Sequence, residues 1–296
     1  MVSVSTLLCL ALATLIIAAM PIVLWKLRPR LGIAPREAIL GIAVFALFAM
    51  VIERALHCFM LSNPTTPVWL ANPAVFVIYG AITAGLCEEV GRFLAMKWLI
   101  SRDPGALDRH GSALGYGIGH GGAEAWIVGV LVQVQWIVYA VLANNGTLDS
   151  HFASAPLEAI ARIHLVLMSL SPVSAGIFVV ERASAFVLQL GFSALMWQML
   201  RERSRHALVF LIATHALRAA RRALSGAARA AHRRRLRLSR ARRDRRGSAR
   251  ALLSARRCRR RLSADLPELR LQPDFDIEWM TINTTVRART STCSRM

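Results

Sequence analysis

Five apolar runs, at about residues 5–25, 37–60, 73–100, 112–143 and 173–200, constrain this chain more than any other feature. The hydrocarbon core of a bilayer is about 30 Å thick, which takes about 20 helical residues at 1.5 Å each. Inside lipid every backbone N–H and C=O must be bonded within its own segment, so such runs are helices. The expected fold class is therefore all-α, a polytopic transmembrane helix bundle with the lipid bilayer as its solvent. A mean hydropathy of +0.45 and a 55% hydrophobic composition agree. No basic stretch precedes the first run, which predicts a spanning helix rather than a cleaved signal. A shorter run at 206–217 reads as a partial span. Residues 156–170 (PLEAIARIHLVLMSL), stopped by Pro172, read as an interfacial helix.

The formal charge of +20 suggests nucleic acid until it is divided along the chain. Residues 1–217 carry 14 Lys and Arg against 11 Asp and Glu. Residues 218–296 carry 23 against 6, and all 23 are Arg. Nucleic-acid arms mix Lys, Arg and Gly with aromatics, whereas this tail is Arg, Ala, Ser and Leu, with Phe275 and Trp279 as its only aromatics. No specific nucleic-acid partner is expected. An Arg/Ala bias of this kind is what a GC-rich coding sequence yields out of frame. The chain thus divides into a bundle, 1–217, and a tail, 218–296, read as disordered or frameshift-derived. The product would then lack its last helices and be inactive.

The loops of the bundle alternate in charge. Lys26, Arg28, Arg30 and Arg36 follow the first run, Arg102 and Arg109 the third, and Arg201, Arg203 and Arg205 the fifth. The segment 61–72 has no charge, and 144–172 has Arg162 as its one basic residue. This pattern predicts a multi-pass protein of a bacterial cell membrane with its N-terminus outside. The five cysteines form no CxxC pair, and no disulfide framework or cysteine zinc motif follows from them.

A charge at mid-bilayer costs at least about 2.5–3.5 kcal/mol, yet several lie within these runs. The third has Glu88, Glu89 and Arg92; the fourth has His120 and Glu124; the fifth has Glu181, Arg182 and Gln189; the short sixth has His215. Spacing of four places Glu88 and Arg92 on one face, and likewise His120 and Glu124. Glycines at 115, 117, 119, 121 and 122 let another backbone approach His120. At 1.5 Å per residue, Glu88, His120, Gln189 and His215 all lie about 13–18 Å from the basic ends of their segments. Convergence at one depth predicts a polar cavity between helices, in the cytoplasmic half. Glu181 and Arg182 fall about 10 Å further out and read as a brace for the bundle. Glu53, Arg54 and His57 read as structural or interfacial, and His164 as interfacial.

A carboxylate and an imidazole beside a water pocket can activate water for attack on an amide. A second His or Gln can stabilise the oxyanion. Two His with a Glu, here Glu88, His120 and His215, would equally suit zinc. HExxH is absent, so a metal and a glutamate mechanism both stand. Intramembrane Glu, His and Arg also mark ion pathways, which makes an ion- or proton-coupled transporter the rival, followed by a non-catalytic membrane protein. No internal repeat of the kind transporters carry is evident between the two halves.

The order EExxR (Glu88, Glu89, Arg92), GHGGxE (His120, Glu124), ERxxA (Glu181, Arg182) and a final intramembrane His215 resembles the YhfC family of intramembrane metalloproteases. That family is similar to the wider group of CAAX-prenyl proteases and bacteriocin-processing proteins (CPBP). The resemblance implies a multi-pass peptidase acting on a membrane-embedded or membrane-proximal peptide. It implies Glu88 and Glu89 as water-activating or metal-binding residues and Arg92 as the group that positions them. His120 and His215 would be ligands or oxyanion partners, with Glu124, Glu181, Arg182 and Gln189 in support. Gln189 stands where a His is expected, and the family's HxxxD is here His215-Ala216-Leu217-Arg218-Ala219.

Overall fold

A computed structural model of the chain describes residues 1–109, 111–204, 206 and 208–221, and every regular element among them is helical. Five helices are long and apolar enough to cross a membrane. In chain order these spans are Val4–Lys26, Pro35–Ser62, Pro73–Arg102, Gly111–Asn144 and Pro172–Arg201. Each end lies within two residues of its sequence-based position. The short sixth run is helical over 208–221. The remainder of the Arg-rich tail, and with it the expectation of a disordered or frameshift-derived segment, lies outside the described residues.

Local chemistry explains where the spans begin and stop. Ser3 caps the first by accepting from the Thr6 N–H at 3.2 Å. Asn72 accepts from the Ala74 N–H at 2.9 Å ahead of Pro73, and Ser171 and Ser174 form a reciprocal capping box around Pro172. Lys26, Arg102 and Arg201 close the first, third and fifth spans, where a cation complements the helix dipole. These three ends therefore gather at one basic end of the bundle.

Neighbouring spans alternate in direction. At the end opposite the basic loops, Val2 N–H donates to Asn144 Oδ1 at 2.8 Å, and Asn144 Nδ2 returns a bond to Val2 O at 2.8 Å. Leu157–Ser169 packs Ile163, Val166 and Leu167 against Trp136, Ala140 and Leu148 at this same end. The closest pairing joins the second and fourth spans: a Cβ on Gly119 would stand 1.9 Å from Ala38 O, and one on Gly41 2.3 Å from Tyr116 O.

At the basic end, Asp103 accepts from Arg109 Nη2 at 2.7 Å and from Arg36. Glu37 is fully buried and accepts from Arg36 Nε at 3.2 Å. Hydrogen bonds from Arg109 and then Arg36 pull the Asp103 carboxyl down to about 2. A carboxyl lower in the folded than in the unfolded chain (about 3.9) stabilises the fold above the unfolded value and loses that contribution as pH falls toward the folded one. The difference in Tm between wild type and Asp103→Asn should therefore stay constant over about pH 5–8 and vanish as pH falls from about 4 to 2. A difference that widens on acidification would refute this clasp.

Candidate active site

The third span carries Cys87, Glu88, Glu89 and Arg92 into the interior, all buried. Arg92 does not pair with Glu88, its partner by four-residue spacing. It pairs with Glu89 one turn away, Nε to Oε2 at 3.0 Å and Nη2 to Oε1 at 3.3 Å. Its remaining donors reach the fifth span, bonding Gln189 O at 3.2 Å, Gln189 Oε1 and Ser193 Oγ. A fully buried guanidinium is thus paired and hydrogen-bonded on every side.

Glu89 also accepts from His215 Nδ1 at 2.8 Å. Because the Arg92 pair keeps Glu89 an acceptor, the His215 proton sits on Nδ1, and Nε2 is left facing Glu88 Oε1 at 4.0 Å. Gly85 makes this approach possible, since a Cβ there would lie 3.1 Å from Ile212 O and 3.2 Å from Ala216 N. Phe192 stacks on the His215 ring at 5.3 Å between centroids.

From the fourth span, His120 turns Nε2 to Glu88 Oε2 at 3.3 Å. Its Nδ1 lies 3.5 Å from the Tyr116 hydroxyl, which can donate or accept and so serves either tautomer. Tyr116 stacks along the imidazole and Phe45 meets it edge-on at 5.3 Å. His120 has no solvent exposure at all.

Gln189 links the two acidic faces. Its Nε2 donates to Glu88 Oε2 at 2.8 Å and to Glu124 Oε2 at 2.7 Å. Glu124 in turn faces Arg182 Nη1 at 3.5 Å. Arg182 thus reaches across to the fourth span, and Glu181, one position before it, is half-buried. Glu88, Glu89, Arg92, His120, Glu124, Arg182, Gln189 and His215 join one network from four helical segments. Tyr116, Ser193, Phe45 and Phe192 were not singled out. Tyr116 stands four residues before His120 and Ser193 four after Gln189, a helical-face signal that would have found them. Phe45 and Phe192 carry no such mark.

Among the described residues, no three His, Cys, Asp or Glu side chains are gathered as a metal site. The donor chemistry nonetheless suits one. Two Nε2 atoms face a single carboxylate, and one imidazole has its Nδ1 held by a second carboxylate, the usual support of a ligating His. Donors about 2.0–2.1 Å from a tetrahedral zinc are about 3.3 Å apart. The His120–Glu88 separation of 3.3 Å matches this, while His215 at 4.0 Å stands wider.

A family model described as YhfC intramembrane metalloprotease matches residues 13–231. An uncharacterized membrane protein of Bacillus subtilis (strain 168), YhfC, is 31% identical over 221 residues, which cover 73% of this chain and 84% of that protein. No solved structure matches the chain.

Proposed function

Because the chain belongs to the YhfC intramembrane metalloprotease family, we propose that it is a multi-pass intramembrane endopeptidase hydrolysing a peptide bond within or beside the bilayer. The observation that carries this reading is the meeting of Glu88 with His120 and His215, beside a Glu89–Arg92 pair, in one buried network. By the positive-inside rule, the basic end faces the cytoplasm.

The two carboxylates divide the work. In a glutamate mechanism, Glu88 Oε2 is held by Gln189 and His120, and Oε1 is the oxygen left to take a proton from water and pass it to the leaving amine. Glu89 touches no reacting group; it fixes the tautomer of His215 and anchors it to Arg92. In a metal mechanism, Glu88, His120 and His215 are instead the residues that would hold a zinc ion, with the His120 proton on Nδ1 toward the Tyr116 hydroxyl. Zinc supplies Lewis acidity toward water and the scissile carbonyl. Gln189, itself held by Arg92, keeps the Glu88 carboxylate in place.

Cleavage of transmembrane peptides in proteoliposomes tests the reading. Glu88→Ala and His120→Ala should each lower the rate by about 10²–10⁴-fold, and chelation should abolish cleavage until zinc is restored. Metal content measured on the same samples should fall in both variants. Cleavage unchanged in both variants would overturn the assignment.

A further inference from the structure

Hydrolysis inside a bilayer needs a route for water, and the surroundings of Glu88 close most directions. Toward the basic end, Met96, Leu99, Met196, Trp197 and Leu211 pack into a buried apolar layer beneath Arg92, Ser193 and His215. On the side of the fifth span, Ile17, Ala125 and Val130, with Phe178, cover the Glu124–Arg182 pair. Toward the end opposite the basic loops, polar groups continue instead. Glu53 stands on the second span five residues beyond Phe48, whose ring packs against Gly91 of the third span, three residues from Glu88. One turn further, His57 Nε2 stands 3.4 Å from Glu53 Oε1, and His57 Nδ1 is 2.7 Å from the Tyr79 hydroxyl.

These groups are built into the interior. Glu53 and His57 are 8% and 6% exposed, and burying them costs free energy unless they are paired. Tyr79 is half-buried, six residues from the start of its span at Pro73, and His57 is five from the end of its span at Ser62. The file therefore begins about two turns inside the bundle and ends at Glu53, on the span that packs against the one carrying Glu88.

We propose that Glu53, His57 and Tyr79 form the route by which water reaches Glu88, entering from the end opposite the basic loops. The ligand of the file is water itself. Tyr79 bonds His57, and His57 Nε2 stands 3.4 Å from Glu53 Oε1, so a water passed along the file finds donors and acceptors as far as Glu53. The consequence for catalysis rests on the peptidase reading; the route itself does not.

Two arms keep those apart. In full-length protein reconstituted without its native cysteines, Glu53→Cys and Met96→Cys are treated with a small hydrophilic thiosulfonate from each side in turn. Glu53→Cys should be modified from the end opposite the basic loops, and Met96→Cys from neither. Adding His57→Leu should slow modification of Glu53→Cys at least 10-fold, whereas His57→Asn should leave it within about 3-fold. Modification of Met96→Cys from the basic end, with Glu53→Cys inert from the other, would overturn the route. In the cleavage assay, His57→Leu should lower kcat about 10-fold at unchanged KM, and His57→Asn should restore it. An unaltered kcat in His57→Leu would overturn the route as a supplier of the reaction. If no peptide is cut even by wild type, the labelling arm still decides the route, and the failure falls on the peptidase reading alone.

Discussion

Replacing Arg92 with methionine is expected to destabilise the protein by about 3–5 kcal/mol and to abolish cleavage. The side chain is fully buried, and its removal leaves Glu89 an uncompensated carboxylate in the bundle interior. It also strips Gln189 O, Gln189 Oε1 and Ser193 Oγ of a donor, loosening the third span from the fifth. Breaking a buried pair from one side is far costlier than removing both members. Arg92→Met combined with Glu89→Gln should therefore regain most of the lost stability, read as Tm in detergent. Cleavage should not return with it, because His215 Nδ1 then loses the ionised carboxylate that fixes its ring. A single Arg92→Met variant as stable as wild type would show that the pair carries no structural weight, and recovery of cleavage in the double variant would remove Glu89 from its orienting role.

The spans were legible because lipid leaves the sequence little freedom. A run either has the length and apolarity to cross or it has not, and in the structure Pro35, Pro73 and Pro172 stand at three of the starts. The polar residues that gather in the interior were legible for the same reason, since an ionisable group in such a run stands out against its cost. Their pairing was not. Four-residue spacing assigned Arg92 to Glu88, while the fifth span sets the actual choice: Gln189 occupies Glu88, and Arg92 turns to Glu89, which His215 also needs. Spacing within one helix carries no information about such competition from another.

The same limit hid the second-span polar group. Glu53 and His57 read as structural or interfacial, and Tyr79, which bonds His57 from 22 residues away on another span, gave no sign in the spacing. The aromatic clamps Phe45 and Phe192 were equally invisible, as any apolar residue would satisfy the hydropathy pattern there. The partial sixth run shows the opposite case. Too short to count as a span on length, it seats His215 because Gly85 opens a face of the third span to it.

Substituting Gly119 with valine is expected to cost at least the upper part of the ~1–3 kcal/mol range for overpacking, and to prevent assembly of the bundle in most molecules. A Cβ there would lie 1.9 Å from Ala38 O, 2.7 Å from Ala38 C and 2.8 Å from Ala38 Cα. All three are backbone atoms of a regular helix, so no rotamer change relieves the clash, and the second and fourth spans must part. Gly41 faces the same crossing from the other side, 2.3 Å from Tyr116 O and 2.7 Å from His120 N. Parting the spans withdraws His120 from Glu88, so cleavage should fall even in the fraction that folds. Gly176→Ala is the matched control: nothing lies within 4 Å of its Cβ, and alanine is the better helix former by about 1 kcal/mol. Folded yield by size-exclusion chromatography should drop sharply for Gly119→Val and stay at or above wild type for Gly176→Ala. Equal yields for the two would mean that the close crossing of the second and fourth spans is not what holds His120 in the site.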